Sequence, residues 1–358
     1  MPGIARSTPA DIAPHGESPR QGSIGRRLSG EDWTAVTLFA ITILLIFASR
    51  WISPSFGGWN QVMAIIVLSS FVIVVAFGQQ MVILIGGLDL SVASVMTLGG
   101  ILTFSWVGGS PMALVWGLPA VLLLTGLVGT VNGIGVALLR IPSFIMTLAM
   151  GIIVYGAALG ITGGAPRGQA SPLLSSLFTS SVLGVPPVIH LMIVITVLGS
   201  LLQRRTAFGR RVFALGTNPD AAYIAGLPVR VVTILCYTIS GAAAGFAGIL
   251  MVGFSAGATL TMGQSYLVPS IAAVVIGGTS ILGGRGHYPG VVGGAVLLTT
   301  FSTIITALGI AEGWRTVIYG TVILLALLLL QEQLYVWVRR RYTVRLRHIS
   351  FNPSQKGD

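Results

Sequence analysis

Apolar runs of about 20 residues recur along almost the whole chain, and this feature restricts the fold more than any other. One such run is enough to cross the hydrocarbon core of a bilayer as an α-helix. Only 8% of the 358 residues are charged, whereas a soluble domain carries about 25%. The sequence therefore predicts an all-α polytopic membrane protein with about ten transmembrane helices, at 33–52, 60–85, 91–107, 112–139, 143–162, 186–202, 231–254, 267–283, 288–310 and 313–337.

The basic residues give these spans an orientation. With the N-terminus inside, seventeen of the 20 Lys and Arg residues fall on the inner side, and only Arg50, Arg167 and Arg315 fall outside. The positive-inside rule describes this bias. The first residues carry no apolar stretch of the kind that a signal peptide needs. We therefore expect both termini in the cytoplasm, with a disordered tail at 1–32, a transmembrane domain at 33–338 and a basic tail at 339–358.

The net charge of +11 does not indicate a nucleic-acid partner. The basic residues group in the two tails and in one central loop, and no aromatic and basic surface accompanies them. Basic cytoplasmic loops of a membrane protein account for the charge. We expect lipid around most of the surface and no nucleic acid.

Catalytic and nucleotide-binding motifs are missing from the sequence. The phosphate-binding loop G-x-x-x-x-G-K-[ST] needs a lysine, and the only lysine is Lys356, close to the C-terminal end. The four histidines are scattered, so no metal site is expected. The chain is therefore expected to be neither an ATPase nor another enzyme, and to bind no cofactor.

A central loop at 203–230 is the longest polar stretch between spans on the predicted inner side. Asn218 suits a helix N-cap, Pro219 the first helical position and Asp220 the positive end of the helix dipole. Gly226 is placed to end that helix. A helix this short is marginal alone in water. We expect it either to lie at the membrane interface or to fit a groove on a cytoplasmic ATPase.

The same loop carries a family signature, formed by Thr206, Phe208, Gly209, Arg210, Val212, Ala214, Gly216, Asn218, Ala221, Ala222 and Gly226. It resembles the signature of bacterial ABC sugar permeases of the ribose/xylose/arabinose type, in the branched-chain amino acid/ribose permease superfamily. Three further blocks agree in order, GQQMVILIGGLDLSVAS (78–94), NGIGVALLRIPSFIMTLAM (132–150) and IAAVVIGGTSILGGRG (271–286). The chain departs from the family at Ala93, where glycine is usual, and at Tyr155, where an arginine often stands.

The resemblance covers about residues 33–337 and implies a type II ABC importer fold. It implies a homodimer or a paired heterodimer of permeases in the inner membrane, a cytoplasmic ABC ATPase that uses ATP and Mg²⁺, and a periplasmic sugar-binding protein. The function implied is the import of a pentose, hexose or related polyol. Coupling to the ATPase is then expected from Arg210, Gly216, Asn218, Asp220, Ala221, Ala222 and Gly226.

Two other functions stay open from the residues alone. An ion-coupled secondary carrier or a channel for a small polar solute would usually carry acidic groups at membrane depth. Only Asp89 among the nine acidic residues is predicted to lie near a transport path. A membrane scaffold without transport activity is the third possibility.

Polar residues inside or beside the spans are the candidates for the translocation path. They are Gln79, Asp89, Ser91, Asn132, Ser143 and Thr147. Structural roles compete with solute contact, because Asp89 suits a helix start or a brace and the others suit hydrogen bonds between helices.

Glycine spacing predicts where helices cross closely and where they break. Small residues four apart recur at Gly129 and Gly133, Gly241 and Gly245, and Gly290 and Gly294, a spacing that favours close crossings. The stretch 79–91 is expected to be either a re-entrant element or the cytoplasmic end of a long second span, and 267–283 is a candidate for a broken helix, because Pro269 lies near its start and glycines lie near its end.

Overall fold

The computed structural model describes residues 30–51, 57–108, 111–311, 313–314, 316–318, 320–321 and 324. The described chain forms twelve helices, which are α1 (Gly30–Ser49), α2 (Trp59–Leu84), α3 (Val92–Trp106), α4 (Pro111–Ala137), α5 (Ser143–Thr162), α6 (Pro172–Thr179), α7 (Pro187–Arg205), α8 (Ala207–Thr217), α9 (Pro219–Ile224), α10 (Val229–Ser255), α11 (Gln264–Ile276) and α12 (Tyr288–Ala307). Within these residues the only β pairing is an isolated bridge between Val182 and Val185.

Eight of the ten predicted spans coincide with one of these helices to within three residues at each end. Six helices, namely α2, α4, α5, α7, α10 and α12, are long and apolar enough to cross a membrane. The tenth predicted span lies almost entirely outside the described residues. So do the predicted tails at 1–32 and 339–358, except that α1 already begins at Gly30.

The predicted span at 267–283 is wrong as a continuous helix. Its helix, α11, has 13 residues and ends at Ile276. Gly278, Gly283 and Gly284 follow with φ of +84°, +87° and +75°, values that glycine adopts readily and that an α-helix does not contain. Both α11 and α3, which has 15 residues, are shorter than the roughly 20 residues that a full span requires.

Two short helices were not predicted. The eight-residue α6 lies in the link between α5 and α7, and α8 precedes the predicted short helix in the central loop. Two glycines lower the helix propensity of α8. A signal was nevertheless present, because Phe208, Val212 and Leu215 recur at the spacing of one helix face.

The helix α10 lies at the centre of the bundle, where it contacts α2, α3 and α4. Its crossing with α4 requires glycine on both helices. A Cβ atom at Gly129 would overlap the carbonyl oxygen of Tyr237, and one at Gly241 would overlap that of Thr125. In a bilayer such close approach is the main source of helix association, because lipid is as apolar as the side chains. The predicted role of these glycines in packing is confirmed.

Replacing Gly241 with alanine should separate α4 from α10. We expect Gly241→Ala to destabilise the protein by about 1–3 kcal/mol, the usual cost of overpacking, and to lower the thermal unfolding midpoint in detergent micelles. Gly156→Ala is the matched control, because Gly156 is also on a long membrane helix but a Cβ atom added to it would meet no other atom within 4 Å. Equal midpoints for the two variants would contradict the packing argument.

Candidate functional site

The central loop folds into two short helices whose ends are capped by side chains. At the start of α8, the Thr206 hydroxyl accepts a hydrogen bond from the Gly209 N–H at 3.0 Å. At the start of α9, the Asn218 Oδ1 accepts one from the Ala221 N–H at 2.9 Å. Gly226 ends the turn with φ +77°. The predicted cap at Asn218 and the predicted helix stop at Gly226 are confirmed.

One face of α8 and α9 is buried against the membrane helices. Val212, Leu215 and Ala222 form a small apolar cluster with the last turn of α2, at Met81 and Leu84, and with Val232 and Cys236 of α10. Burial of this face supplies the stability that so short a helix lacks by itself. Ala222 therefore belongs to the inner face of the loop.

The opposite face of α9 is open. Tyr223 is 74% exposed and Ile224 is 84% exposed. Asp220 and Ala221 are also exposed, and so are five arginines of the neighbouring helices α7, α8 and α10, at positions 204, 205, 210, 211 and 230. Arg210 donates a hydrogen bond to the Arg205 carbonyl at 3.3 Å. Two adjacent large apolar side chains on a six-residue helix thus point away from the bundle.

A close backbone junction fixes α8 to two other elements. Gly216 packs so tightly against the Leu84 carbonyl and the Gly284 N–H that any side chain there would overlap both. The Gly284 N–H in turn donates to the Leu84 carbonyl at 2.9 Å. The end of α8, the end of α2 and the glycine-rich segment 277–286 therefore meet at one point.

A chain of buried amides extends this junction. Gln203 at the end of α7 donates from Nε2 to Gln80 Oε1 at 2.9 Å. Gln80 on α2 donates from Nε2 to the Thr279 hydroxyl at 3.1 Å. Gln203 and Thr279 were not among the predicted site residues, and no local sequence pattern could pair positions so far apart.

Asp89 is the centre of a second buried cluster, in the turn at 85–91 between α2 and α3. Its Oδ1 accepts hydrogen bonds from the Ser91 N–H at 3.0 Å and the Ser91 hydroxyl at 2.6 Å. Its Oδ2 accepts one from the Ser240 hydroxyl of α10 at 2.8 Å. Asn132 of α4 donates to the Ser91 hydroxyl at 2.9 Å. The carboxylate thus joins the start of α3 to α10 and, through the Ser91 hydroxyl, to α4, and the interpretation of Asp89 as a structural brace is the one that this geometry favours.

Two residues of α5 hold the same turn from the other side. The Ser143 hydroxyl accepts a hydrogen bond from the Leu88 N–H at 3.3 Å. The Thr147 hydroxyl accepts one from the Leu90 N–H at 3.0 Å. Five of the six predicted path residues, Asp89, Ser91, Asn132, Ser143 and Thr147, are therefore brought together around this turn. Ser240 was missed, because a single serine in an apolar helix carries no distinctive signal.

Gln79 lies apart from both clusters. Its side chain is fully buried on α2, and neither its Nε2 nor its Oε1 makes a hydrogen bond to any residue that the structure describes. An unpaired buried amide is costly, so the site that Gln79 faces is one where a polar group would be favourable.

The described residues contain no group of three or more His, Cys, Asp or Glu side chains that could hold a metal ion. The arrangement is that of a multi-pass helical membrane protein with buried polar clusters and an exposed tip on one short loop helix.

Comparison with known proteins identifies the family. Residues 61–327 match the family described as "Branched-chain amino acid transport system / permease component". The ribose import permease protein RbsC of Escherichia coli (strain K12) is 34% identical over 310 residues, which cover 85% of this chain and 96% of the relative. The chain therefore belongs to this family of permease components.

Two further relatives extend the comparison. The D-allose transport system permease protein AlsC of Escherichia coli (strain K12) is 32% identical over 300 residues, covering 82% of this chain and 90% of the relative. The fructose import permease protein FrcC of Rhizobium meliloti is 32% identical over 325 residues, covering 86% of each. No solved structure gives a significant match. The predicted family and the predicted helical permease fold are confirmed, and the match spans α2 to α12.

Replacing the Asp89 carboxylate should weaken the contact between its three helices. In Asp89→Asn, one oxygen acceptor becomes an N–H₂ donor that faces hydroxyl or N–H donors. Because hydrogen bonds to charged groups are worth about 1.5–3 kcal/mol, we expect a clear fall in the thermal unfolding midpoint in micelles. Asp220→Asn is the control, because Asp220 is exposed on α9. A midpoint equal to that of the control would rule out the bracing role.

Proposed function

We propose that this chain is the membrane-spanning permease subunit of an ATP-driven importer that carries a sugar across the bacterial inner membrane. The relatives are named for import of ribose and fructose and for transport of D-allose, which supports a pentose, a hexose or a related polyol as the solute. The observation that carries the proposal is the exposed pair Tyr223 and Ile224 on α9, whose helix is anchored by its other face.

The tip of α9 suits a groove on a partner protein. Anchor residues of interfaces are large side chains that fill a pocket, with polar groups around them. Tyr223 and Ile224 provide the anchor, and the exposed arginines provide a basic rim. A cytoplasmic ABC ATPase that binds here would supply the ATP and Mg²⁺ chemistry for which the permease has no motif.

A movement of α9 can be transmitted to the membrane helices through few contacts. Its neighbour α8 meets the end of α2 and the segment 277–286 at Gly216. Backbone groups in direct contact leave no room for the elements to slide independently. We infer that Arg210, Gly216, Asn218, Asp220, Ala221, Ala222 and Gly226 couple ATPase closure to the membrane helices, some as surface contacts and some, such as Gly216 and Ala222, as inner packing.

The proposal includes the other components of such an importer. They are a second permease copy, identical or paired, a periplasmic binding protein that delivers the sugar, and surrounding lipid. It also places α8 and α9 in the cytoplasm, as the arginines around them favour, and with them both termini.

Five of the predicted path residues are buried in the structure, namely Gln79, Asp89, Ser91, Asn132 and Thr147. Ser143 is half-buried. We propose that they contact the solute only after the helices around them separate. Gln79 is the strongest candidate among them, because its buried amide makes no hydrogen bond within the described residues that solute binding would have to break.

The energy source distinguishes this function from an ion-coupled carrier. In proteoliposomes that contain the permease with its ATPase and binding protein, we expect uptake of labelled D-ribose, D-allose or D-fructose to require ATP. Collapse of ion gradients with ionophores should leave the rate unchanged. Uptake by the permease alone, driven by an ion gradient, would show a secondary carrier instead.

A charge at the tip of α9 should break the contact with the ATPase. We expect Ile224→Glu to lower both ATPase binding and ATP-driven uptake at least tenfold, because truncation of an interface anchor typically costs about 2 kcal/mol or more. Leu183→Glu is the matched control, since Leu183 is 92% exposed and lies in the link before α7, at the opposite end of that helix from α8. Full activity of Ile224→Glu would mean that α9 only lies at the membrane interface.

A further inference from the structure

The first turn of α11 lies at mid-depth in the membrane domain. Phe71 serves as a depth marker, because it stands at the centre of the 26-residue span α2 (Trp59–Leu84). The Tyr266 ring packs edge-on against Phe71, with 5.9 Å between ring centroids. Since α11 begins at Gln264, this helix starts at the level of the middle of α2 rather than at either end of that span.

The segment 256–263 brings the chain to this depth without forming a helix. Its last residue, Gly263, donates its N–H to the Thr97 hydroxyl of α3 at 3.1 Å. Met262 packs against Gly100 on the same helix. Irregular backbone survives at membrane depth only where it is buried in protein or lines a water-filled cavity. The contacts with α3 bury one side of this segment.

The other side of the segment and of α11 is open and polar. Thr261, Gln264 and Ser265 are exposed, and their side chains form no hydrogen bond to any described residue. Other hydroxyls bond back to their own helix, as Ser270 does to the Leu267 carbonyl at 2.8 Å. Lipid offers no partner to an open polar group, and each such group costs several kcal/mol in hydrocarbon. The environment of this face is therefore not lipid.

Two cavities flank Ser265 and Tyr266. The first, of about 480 Å³, is also lined by Ser255, Thr259 and Thr261. The second, of about 540 Å³, is also lined by Gln264. Both volumes fall in the range of small-molecule sites, about 300–1,000 Å³. Hydroxyl and amide groups lie among apolar walls, and neither lining includes a charged side chain.

We propose that Thr261, Gln264 and Ser265 line the solute path and contact the solute at the bilayer midplane. Neutral hydroxyl and amide groups match a neutral polyhydroxylated solute, which both donates and accepts hydrogen bonds. A charged solute would lack a counter-charge in these linings. This inference rests on the proposed function, since it names the part of the permease that meets the sugar.

Cysteine labelling tests the water access that a path requires. Cys236 is the only cysteine and is buried, so Cys236→Ala provides the background. Thr261→Cys and Ser265→Cys should react with a membrane-impermeant sulfonated methanethiosulfonate at least tenfold faster than Leu123→Cys. Leu123 is the matched control, because it is 68% exposed near the middle of α4 and apolar. Rates for both variants as low as that of the control would overturn the proposal.

Transport by the labelled complex gives the second readout. With the ATPase and binding protein present, labelling at Ser265→Cys or Thr261→Cys should reduce ATP-driven uptake of the sugar that is transported at least tenfold, whereas treated Leu123→Cys should keep its rate. Full uptake after complete labelling at both sites would overturn the inference while leaving the proposed function intact. If the unlabelled complex takes up none of D-ribose, D-allose and D-fructose, the proposed sugar function fails, and the labelling rates still decide whether this face meets water.

Ser265→Ala and Thr261→Val measure the contact itself. A lost hydrogen bond worth about 1.4 kcal/mol corresponds to a tenfold change in an equilibrium constant. We expect the maximal rate of ATP-driven sugar uptake by the complex to fall several-fold up to about tenfold, and we expect Ser176→Ala on α6 to leave that rate unchanged. No change for either path variant would contradict direct contact.

Discussion

The absence of hydrogen-bond partners in lipid is the constraint on which the rest of this structure depends. Every peptide group at membrane depth must be paired within the protein, which favours helices wherever the chain faces lipid. The two places where helices start within the bundle, at 85–91 and 256–263, are held by side chains of their neighbours. Ser143 and Thr147 bond the first, and Thr97 bonds the second. In both places, side chains of neighbouring helices supply the hydrogen-bond partners that the irregular backbone would lack in lipid.

The same constraint connects the cytoplasmic loop with the middle of the membrane through one helix. The segment 277–286, which follows α11, meets α8 and the end of α2 through Gly284. The opposite end of α11 carries the open polar face at Gln264 and Ser265. With only 13 residues, α11 links these two ends over a short distance. A displacement of α8 therefore has a direct mechanical route to the groups proposed to meet the solute.

Most of the fold could be predicted because it depends on local signals. Apolar length located eight spans, and α5 was predicted residue for residue; the cap at Asn218 and the stop at Gly226 followed from local chemistry. The glycines after Ile276 indicated a possible break in the span 267–283, but its end was placed seven residues too late, because the helix already stops at Ile276, before Gly278 adopts φ +84°. The contacts of Asp89 with Ser240 and of Gln80 with Gln203 could not be predicted, because each joins residues more than 100 positions apart.

The environment of the buried Asp89 bears on whether this protein could work as an ion-coupled carrier without an ATPase partner. An ion-coupled carrier usually has an acidic group at membrane depth that binds and releases its ion during transport. Among the described residues only Asp89 lies at such a depth, and both of its oxygens are already bonded to Ser91 and Ser240. Binding an ion there would disturb the contact between α3 and α10 that the carboxylate supports. The described part of the chain thus has an open polar face that suits a neutral solute, but it has no unbonded acidic group that could couple transport of that solute to an ion. An external energy source that acts through α8 and α9 is consistent with both observations.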